Sequence, residues 1–203
     1  VFSFHPVKII TSGEGGAALT NDAELDRKLK LLRSHGITRD TSLMRNVQTE
    51  PWYYEQLELG YNYRLTDIAA ALGLSQLEKI NYFLKKRHKI ANTYDKAFSN
   101  TGITIPLRHD HNYSSLHLYV IRTQITNRDP LMHRLRQNGI LVNLHYLPVH
   151  LQPYFQDLGF RKGDFPNSER FAQCAISLPI YPQLRKNDQN FIIENILDFT
   201  PKC

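Results

Sequence analysis

The sequence predicts an α/β protein, and two observations carry that prediction. Residues 116–146 read in the order strand, helix, strand, and another helical pattern follows near residues 187–198. Close to the start, a short apolar run ending at Thr20 precedes a helical pattern. Hydrophobic residues make up 41% of the 203 residues, so the chain has enough apolar material for a packed core.

The first helix is predicted over residues 21–36. Asn21 can cap it with Glu24 three residues later, which is the spacing of a capping box, and Gly36 ends it. We expect a buried apolar stripe on this helix, made of Leu25, Leu29 and Leu32.

The middle of the chain is predicted to be a loop followed by helix. Residues 37–60 are irregular in pattern and rich in aromatic residues. From Thr66 to about Phe98 apolar residues recur at helical spacing, with a drift in phase near residues 73–78. This pattern indicates two consecutive helices or one bent helix.

A turn-rich stretch, "NTGITIPLRHDHN", follows the helical region. We predict the domain boundary there, which divides the chain into residues 1–98 and residues 99–203. Within the second part, the prolines of "LPVHLQPYFQDLGF" and "AISLPIYPQL" favour turns over regular elements.

Charge and cysteine content narrow the class of protein. The net charge of +6 suits anionic ligands, but the densest basic run, Lys85–Lys89, lies in a helical pattern and is predicted to be a solvated face. We expect no nucleic-acid partner. Cys174 and Cys203 lack the spacing of a disulfide framework or zinc site, which favours a reducing cytoplasm. No apolar run approaches the roughly 20 residues that span a bilayer, so we expect no membrane segment.

Lys8 is the first candidate for a catalytic residue. A lysine amine whose pKa is lowered can attack carbonyl groups and form Schiff bases. Ser3 and His5 precede it in "SFHPVK", and the glycines of "GEGG" allow a sharp turn close to a ligand or simply between two strands. Because a lysine between strands is also common at protein surfaces, spacing alone leaves the catalytic and the surface interpretation open.

Two further segments carry polar residues at places where ligands bind. Asn62 and Arg64 precede the helix start at Thr66, where backbone amides attract phosphate, although a turn asparagine and a surface ion pair explain them equally well. His145, Tyr146 and His150 follow the end of a predicted strand. Pro148 opposes the helix that a His-x4-His metal pair needs, so we predict no metal site.

Five motifs in order resemble the DegT/DnrJ family of pyridoxal-phosphate-dependent sugar aminotransferases. They are "SFHPVKIITSGEGGAALTND", "LGYNYRLTDIAAALGLSQLEKI", "HYLPVHLQPYFQDLGF", "GDFP" and "ISLPIYP". The resemblance covers essentially all 203 residues. It implies the fold of type I aminotransferases, with the C-terminal part of the large domain followed by a small C-terminal α/β domain.

The resemblance also implies roles for single residues. Lys8 matches the lysine that holds pyridoxal phosphate covalently, and Ser3 matches a hydroxyl that binds the cofactor phosphate. Asn62 matches an asparagine that reaches the cofactor phosphate of the neighbouring subunit in a homodimer with shared active sites. A lysine rather than a histidine at position 8 favours amino transfer over dehydration. The segment that lines the nucleotide-sugar site is matched by His145, Tyr146, Leu147 and Pro148.

Three stretches are most similar in sequence to the transaminases of pseudaminic acid synthesis: "SFHPVK", "GEGGA" and "PWYYEQLELGYNYRLTD". The substrates implied are a UDP-4-keto-6-deoxy-N-acetylhexosamine, aminated at C4, and glutamate as amino donor. The alternative is a different nucleotide-sugar aminotransferase of the same family.

Family members place the lysine near the middle of the chain, whereas it is the eighth residue here. In those proteins the preceding part supplies the carboxylate that pairs with the pyridine nitrogen, the residue that stacks on the ring and further phosphate donors. We therefore expect a working transaminase of which this is the C-terminal part, with the 203 residues inactive when isolated. Alternatively, the chain is a truncated product that only pairs with an intact subunit.

Overall fold

The computed structural model describes residues 1–46 and 50–199. The chain divides into two compact units, Val1–Ile80 and Asn81–Cys203. This division falls after the first residue of the long helix Ile80–Phe98 (α3), whereas the predicted domain boundary follows the helix. The helix groups with the second unit because Ile90, Ala91, Tyr94 and Phe98 lie in that unit's core. The domains 1–98 and 99–203 stay a prediction.

The first unit begins with a short hairpin and a helix. Strands β1 (Phe2–Ser3) and β2 (Gly16–Ala17) pair antiparallel. Helix α1 (Ala23–Leu32) follows, and its N-cap is Asp22, whose carboxylate accepts hydrogen bonds from the backbone N–H groups of residues 24 and 25 at 2.9 and 3.1 Å. The predicted cap at Asn21 is therefore wrong by one residue, because it is the Asp22 carboxylate that accepts from both amides.

The predicted apolar stripe of α1 is also wrong. Leu31 is the buried leucine, whereas Leu25 and Leu29 are 46% and 36% exposed. The helix is amphipathic, but in this chain its leucine face has little covering it. Sequence periodicity identifies an apolar face and says nothing of what packs against it.

Gly36 occupies a position that only glycine fits. Its φ is +68°, and a Cβ there would lie 1.8 Å from the carbonyl oxygen of Glu58. The Gly36 N–H donates to the carbonyl of Leu31 at 3.0 Å, so it ends the turn that follows α1. This close approach lies beside the antiparallel pairing of strand β3 (Ile37–Thr38) with strand β4 (Glu55–Gln56).

Glu55 organises the segment that precedes it. Its carboxylate accepts hydrogen bonds from the backbone N–H groups of Arg45 and Asn46, at 2.6 and 2.8 Å, and from the hydroxyl of Tyr53 at 3.1 Å. The bond from the Arg45 N–H, reinforced by those from Asn46, lowers the pKa of Glu55 from 4.5 to about 2. The charged form of Glu55 is therefore the form that these hydrogen bonds stabilise in the folded protein.

We predict an acid transition in this segment. Because the folded pKa of Glu55 lies below the unfolded one, its stabilising contribution is complete above pH 4.5 and is lost as the pH falls toward about 2. Trp52, the single tryptophan, lies in this segment and contacts Tyr53 edge-on at 6.2 Å, so its fluorescence reports the change. Glu55→Gln should remove the transition, and Glu58→Gln, an exposed neighbour, should retain it. An unaltered transition in Glu55→Gln would contradict this assignment.

Two separate helices complete the predicted helical region. Helix α2 (Asp67–Leu77) is capped by Thr66, whose hydroxyl accepts from the Ala69 N–H at 3.2 Å, and α3 begins three residues after it ends. None of the residues of α2 is buried, although the helix is largely apolar. Large exposed side chains on it are Ile68, Leu72, Leu74 and Leu77.

The second unit has its core between a two-stranded sheet and three helices. Strands β5 (Tyr119–Arg122) and β6 (Ala175–Leu178) pair antiparallel, with Tyr119 opposite Leu178. Helices α3, α4 (Ile125–Gln137) and α7 (Lys186–Leu197) each bring buried side chains to this sheet. The shorter helices are α5 (Pro153–Asp157) and α6 (Pro166–Cys174), and a 3₁₀ turn spans Val149–Leu151.

The predicted second strand, residues 141–146, is wrong. This segment makes one isolated antiparallel bridge, between Asn143 and Ser177. The partner of β5 is β6, which lies in the "AISLPIYPQL" segment that was predicted to form turns. The four residues of β6 are all buried, and the prolines at 179 and 182 end the strand rather than interrupt it.

Arg87 departs from the solvated face predicted for Lys85–Lys89. It is 6% exposed, and its guanidinium donates to the carbonyls of Leu116 and Ile180 at 3.0 and 2.9 Å. Burial lowers the pKa of Arg87. The charge therefore ties α3 to two connecting segments, a role that a basic run in the sequence does not show.

Candidate functional site

Lys8 lies in the loop that joins β1 to β2. The Lys8 N–H donates to the His5 carbonyl at 2.9 Å, forming a tight turn, and the side chain is partly buried. Backbone bonds close the loop on both sides, from the Phe4 N–H to the Gly15 carbonyl at 2.9 Å and from the Ser12 N–H to the Phe4 carbonyl at 3.0 Å. The amine is thus carried by a hydrogen-bonded loop rather than by a free N-terminal tail.

Ser3 immediately precedes the loop that carries Lys8. Ser3 is the last residue of β1, and its hydroxyl oxygen accepts a hydrogen bond from the His5 N–H at 3.4 Å. The Ser3 side chain is exposed, so its hydroxyl is accessible to a ligand. The two predicted cofactor residues of the first motif therefore lie five residues apart, at the end of β1 and in the loop that follows it.

The glycines of "GEGG" give this loop its close strand pairing. Gly13 has φ of +82°, and a Cβ on Gly16 would lie 2.6 Å from the Phe2 carbonyl oxygen. The interpretation of "GEGG" as a tight turn between two strands is wrong, because residues 4–15 join β1 to β2 and Gly16 lies in β2 itself. A larger residue at position 16 would push β2 away from β1 and displace the turn that carries Lys8.

Asn62 lies on a second segment of the first unit. It forms an antiparallel bridge with Ser34, and its neighbours Tyr61 and Tyr63 stack their rings at 5.0 Å. The side chain of Asn62 is exposed and makes no hydrogen bond within residues 1–46 and 50–199. The backbone pairing therefore holds Asn62 in place while leaving its amide available to a ligand.

These groups fit pyridoxal phosphate in their chemistry. The cofactor needs one amine that can bond to its aldehyde carbon, and Lys8 supplies an amine on a fixed turn. Its phosphate needs hydroxyl and amide donors, which Ser3 and Asn62 offer. No group of three or more histidine, cysteine or acidic side chains in the described parts of the chain could hold a metal ion.

The predicted sugar-lining segment lies in the second unit. Within it, Pro148 is buried and His145 is half-buried, whereas Tyr146 and Leu147 are 70% and 47% exposed. Nδ1 of His145 lies 2.8 Å from the hydroxyl oxygen of Ser177 on β6. The exposed pair Tyr146 and Leu147 is therefore presented by a fixed backbone.

Sequence reasoning missed a buried polar pair beside this segment. Nε2 of His150 lies 2.8 Å from Oε1 of Glu169, and these residues are 6% and 8% exposed. The hydrogen bond from His150, followed by the one from the Gly163 N–H at 2.7 Å, lowers the pKa of Glu169. Because 19 residues separate the partners, no local pattern in the sequence could have paired them.

No helix in the described ranges is long and apolar enough to cross a membrane.

The sequence was compared with protein families and with known proteins. The DegT/DnrJ/EryC1/StrS aminotransferase family matches residues 1–197. A UDP-4-amino-4,6-dideoxy-N-acetyl-beta-L-altrosamine transaminase of Campylobacter jejuni is 37% identical over 207 residues, which cover all of this chain and 52% of that protein. The chain thus spans about half the length of the curated relatives it matches.

Solved structures of aminotransferases also match this chain over about half of their own length. Helicobacter pylori PseC, an aminotransferase of pseudaminic acid biosynthesis, matches with a TM-score of 0.86 and 36% identity, covering 98% of this chain and 52% of that one. The PLP-form of the putative sugar aminotransferase Spr1654 from Streptococcus pneumoniae matches with a TM-score of 0.85 and 30% identity, covering 98% and 50%. The predictions of fold type I and of pyridoxal phosphate as the cofactor are confirmed. The chain belongs to the DegT/DnrJ/EryC1/StrS aminotransferase family.

Proposed function

We propose that the protein containing this chain transfers an amino group from glutamate to the C4 ketone of a UDP-4-keto-6-deoxy-N-acetylhexosamine. The observation that carries the proposal is Lys8, an amine on the hydrogen-bonded β1–β2 loop of an aminotransferase chain. The Campylobacter jejuni and Helicobacter pylori relatives support a nucleotide sugar of the pseudaminic acid type. We place the reaction in the cytoplasm.

Lys8 has two tasks in this proposal. In the resting protein its amine holds the cofactor covalently. Once glutamate has displaced it, the freed amine would act as the base and acid that moves a proton between the cofactor carbon and C4 of the sugar. Pyridoxal phosphate, when bound, supplies the electron sink and carries the amino group between the two substrates.

Ser3 and Asn62 bind phosphate in the proposal, and they do so from different subunits. Ser3 immediately precedes the loop that carries Lys8 and serves the cofactor of its own subunit. Asn62, exposed and free of hydrogen bonds within the described residues, serves the cofactor of a second copy, which makes the protein a homodimer with shared sites. The nucleotide-sugar site is lined by His145, Tyr146, Leu147 and Pro148, and Asn62 also contacts substrate.

A second candidate is that the 203 residues alone are inactive and act only by pairing with an intact subunit. The observation that favours it is the apolar surface of α2, on which Ile68 and Leu74 are 86% and 63% exposed. Apolar surface of this kind is normally covered by other protein. Reading the coding sequence upstream of Val1 separates the candidates: a continuous frame with an Asp-x-x-x-[AS] segment favours the transaminase, and an immediate stop favours the inactive chain.

The substrate proposal is tested with the gene product that contains these residues, expressed from its own gene. A panel of UDP-4-keto-6-deoxy-N-acetylhexosamines is incubated with pyridoxal phosphate and glutamate, and amino sugar and 2-oxoglutarate are quantified. We expect both products in equal amounts from at least one UDP sugar. Amination of non-UDP sugars alone would contradict the proposed substrate class.

A further inference from the structure

The predicted sugar-lining segment His145–Pro148 is held at both of its ends. Upstream, the Ser177 N–H donates to the Asn143 carbonyl at 2.8 Å, and the His145 ring lies 2.8 Å from the Ser177 hydroxyl. Ser177 is 5% exposed within β6, so this end is tied to the core sheet.

The downstream end is tied by His150 and Glu169. Because Glu169 is charged, His150 donates through Nε2 to Oε1 of the carboxylate. The same oxygen accepts from the Gly163 N–H, and the His150 ring packs 4.8 Å from the ring of Phe165. One carboxylate on α6 thus fixes both the 3₁₀ turn that follows Pro148 and the loop before α6.

This polar pair lies outside the hydrophobic core. Among the described residues, the core of the second unit takes its members up to Val142 and again from Ile176, with none from the stretch between them. The main hydrophobic core therefore fixes little of the position of residues 143–152, in which Pro148 is the buried apolar side chain. Hydrogen bonds at the two ends determine it instead, so removing one should move the segment without unfolding the unit.

Tyr146 and Leu147 lie between the two anchors and are 70% and 47% exposed. A segment that is already ordered loses little conformational entropy when a ligand binds to it. Exposed side chains on an anchored backbone are what a binding site for a bulky ligand requires.

We propose that Glu169, acting through His150, is a positioning residue for the nucleoside diphosphate part of the substrate. The inference rests on the proposed function, since it takes His145–Pro148 as the lining of the UDP-sugar site. Glu169 does not contact the substrate. Its carboxylate sets the backbone that presents Tyr146 and Leu147.

The test compares Glu169→Ala, Glu169→Gln and Asp157→Ala in the gene product that contains these residues. Glutamine keeps a carbonyl that accepts from His150 and Gly163, whereas alanine keeps neither bond. Asp157 is an exposed carboxylate on α5 and serves as the matched control. Two measurements are made on each variant, amide hydrogen exchange without ligand and binding of UDP by calorimetry.

We expect Glu169→Ala to speed exchange in residues 144–152 and at Gly163, and to weaken UDP binding, each by about tenfold, the effect of losing a hydrogen bond to a charged group. Peptides from α3 and α7 should exchange at the wild-type rate. Glu169→Gln should restore most of both properties, and Asp157→Ala should change neither.

Three outcomes would overturn the inference, and they are distinguishable. Wild-type exchange in Glu169→Ala would show that the pair anchors nothing. Faster local exchange with unchanged UDP affinity would show an anchor without a role in binding, leaving the proposed function intact. Absence of UDP binding in the wild-type protein would reject the proposed function, and this inference with it.

Discussion

Lys8→Ala should reduce amino transfer by about four orders of magnitude or more, the largest effect we expect of any substitution in this chain. The variant loses the lysine amine of the β1–β2 loop, and with it, in the proposed function, both the covalent hold on the cofactor and the proton transfer at sugar C4. The measurement is 2-oxoglutarate formed from glutamate and a UDP-4-keto sugar by the gene product that contains these residues.

Two further variants show whether the loss of amino transfer comes from the missing amine or from the missing charge. Lys8→Arg keeps a positive charge but supplies no amine that can bond to the cofactor, so it should be as inactive as Lys8→Ala. Lys30→Ala removes an exposed lysine that pairs only with Asp26 on α1, and it should retain full activity. Full turnover in Lys8→Ala would contradict the role assigned to this residue.

Tyr94→Ala should lower the free energy of unfolding of the second unit by about 3–5 kcal/mol. The Tyr94 side chain is completely buried, and its ring lies 5.0 Å from that of Tyr119 and 5.8 Å from that of Phe98. Its hydroxyl donates to the Pro179 carbonyl at 3.0 Å, beside the end of β6. The substitution leaves a cavity and an unpaired carbonyl together. Urea denaturation followed by far-ultraviolet circular dichroism measures the loss.

The same helix supplies the control. Tyr82 lies on α3 and is 55% exposed, so Tyr82→Ala should change the free energy of unfolding by only about 0.5 kcal/mol. Tyr94→Phe keeps the ring and removes the hydroxyl, and should cost about 1 kcal/mol. Equal losses in Tyr82→Ala and Tyr94→Ala would show that the core is not where the structure places it.

The sequence was most informative where a pattern is long or local. The helical spacing over residues 66–98 extends for many turns, and the structure has two helices there. The final helix, predicted near residues 187–198, is found at Lys186–Leu197.

The sequence was least informative where distant segments meet. Strand β6 looked like a turn because its prolines were read without the partner strand β5. Arg87 looked solvated because its carbonyl acceptors lie 29 and 93 residues away along the chain. The pairing of His150 with Glu169 likewise exists only in the folded protein. Short-range patterns cannot report contacts of this kind.

We propose that Lys8 is the cofactor lysine of an aminotransferase site, and that residues outside this chain, which spans about half the length of its relatives, contribute to that site. Borohydride reduction in the presence of pyridoxal phosphate, followed by peptide mass mapping, tests it most directly. We expect stoichiometric label on Lys8 in the gene product that contains these residues, and much less than one label per chain in the isolated 203-residue chain. Label on another lysine, or stoichiometric label on Lys8 of the isolated chain, would contradict it.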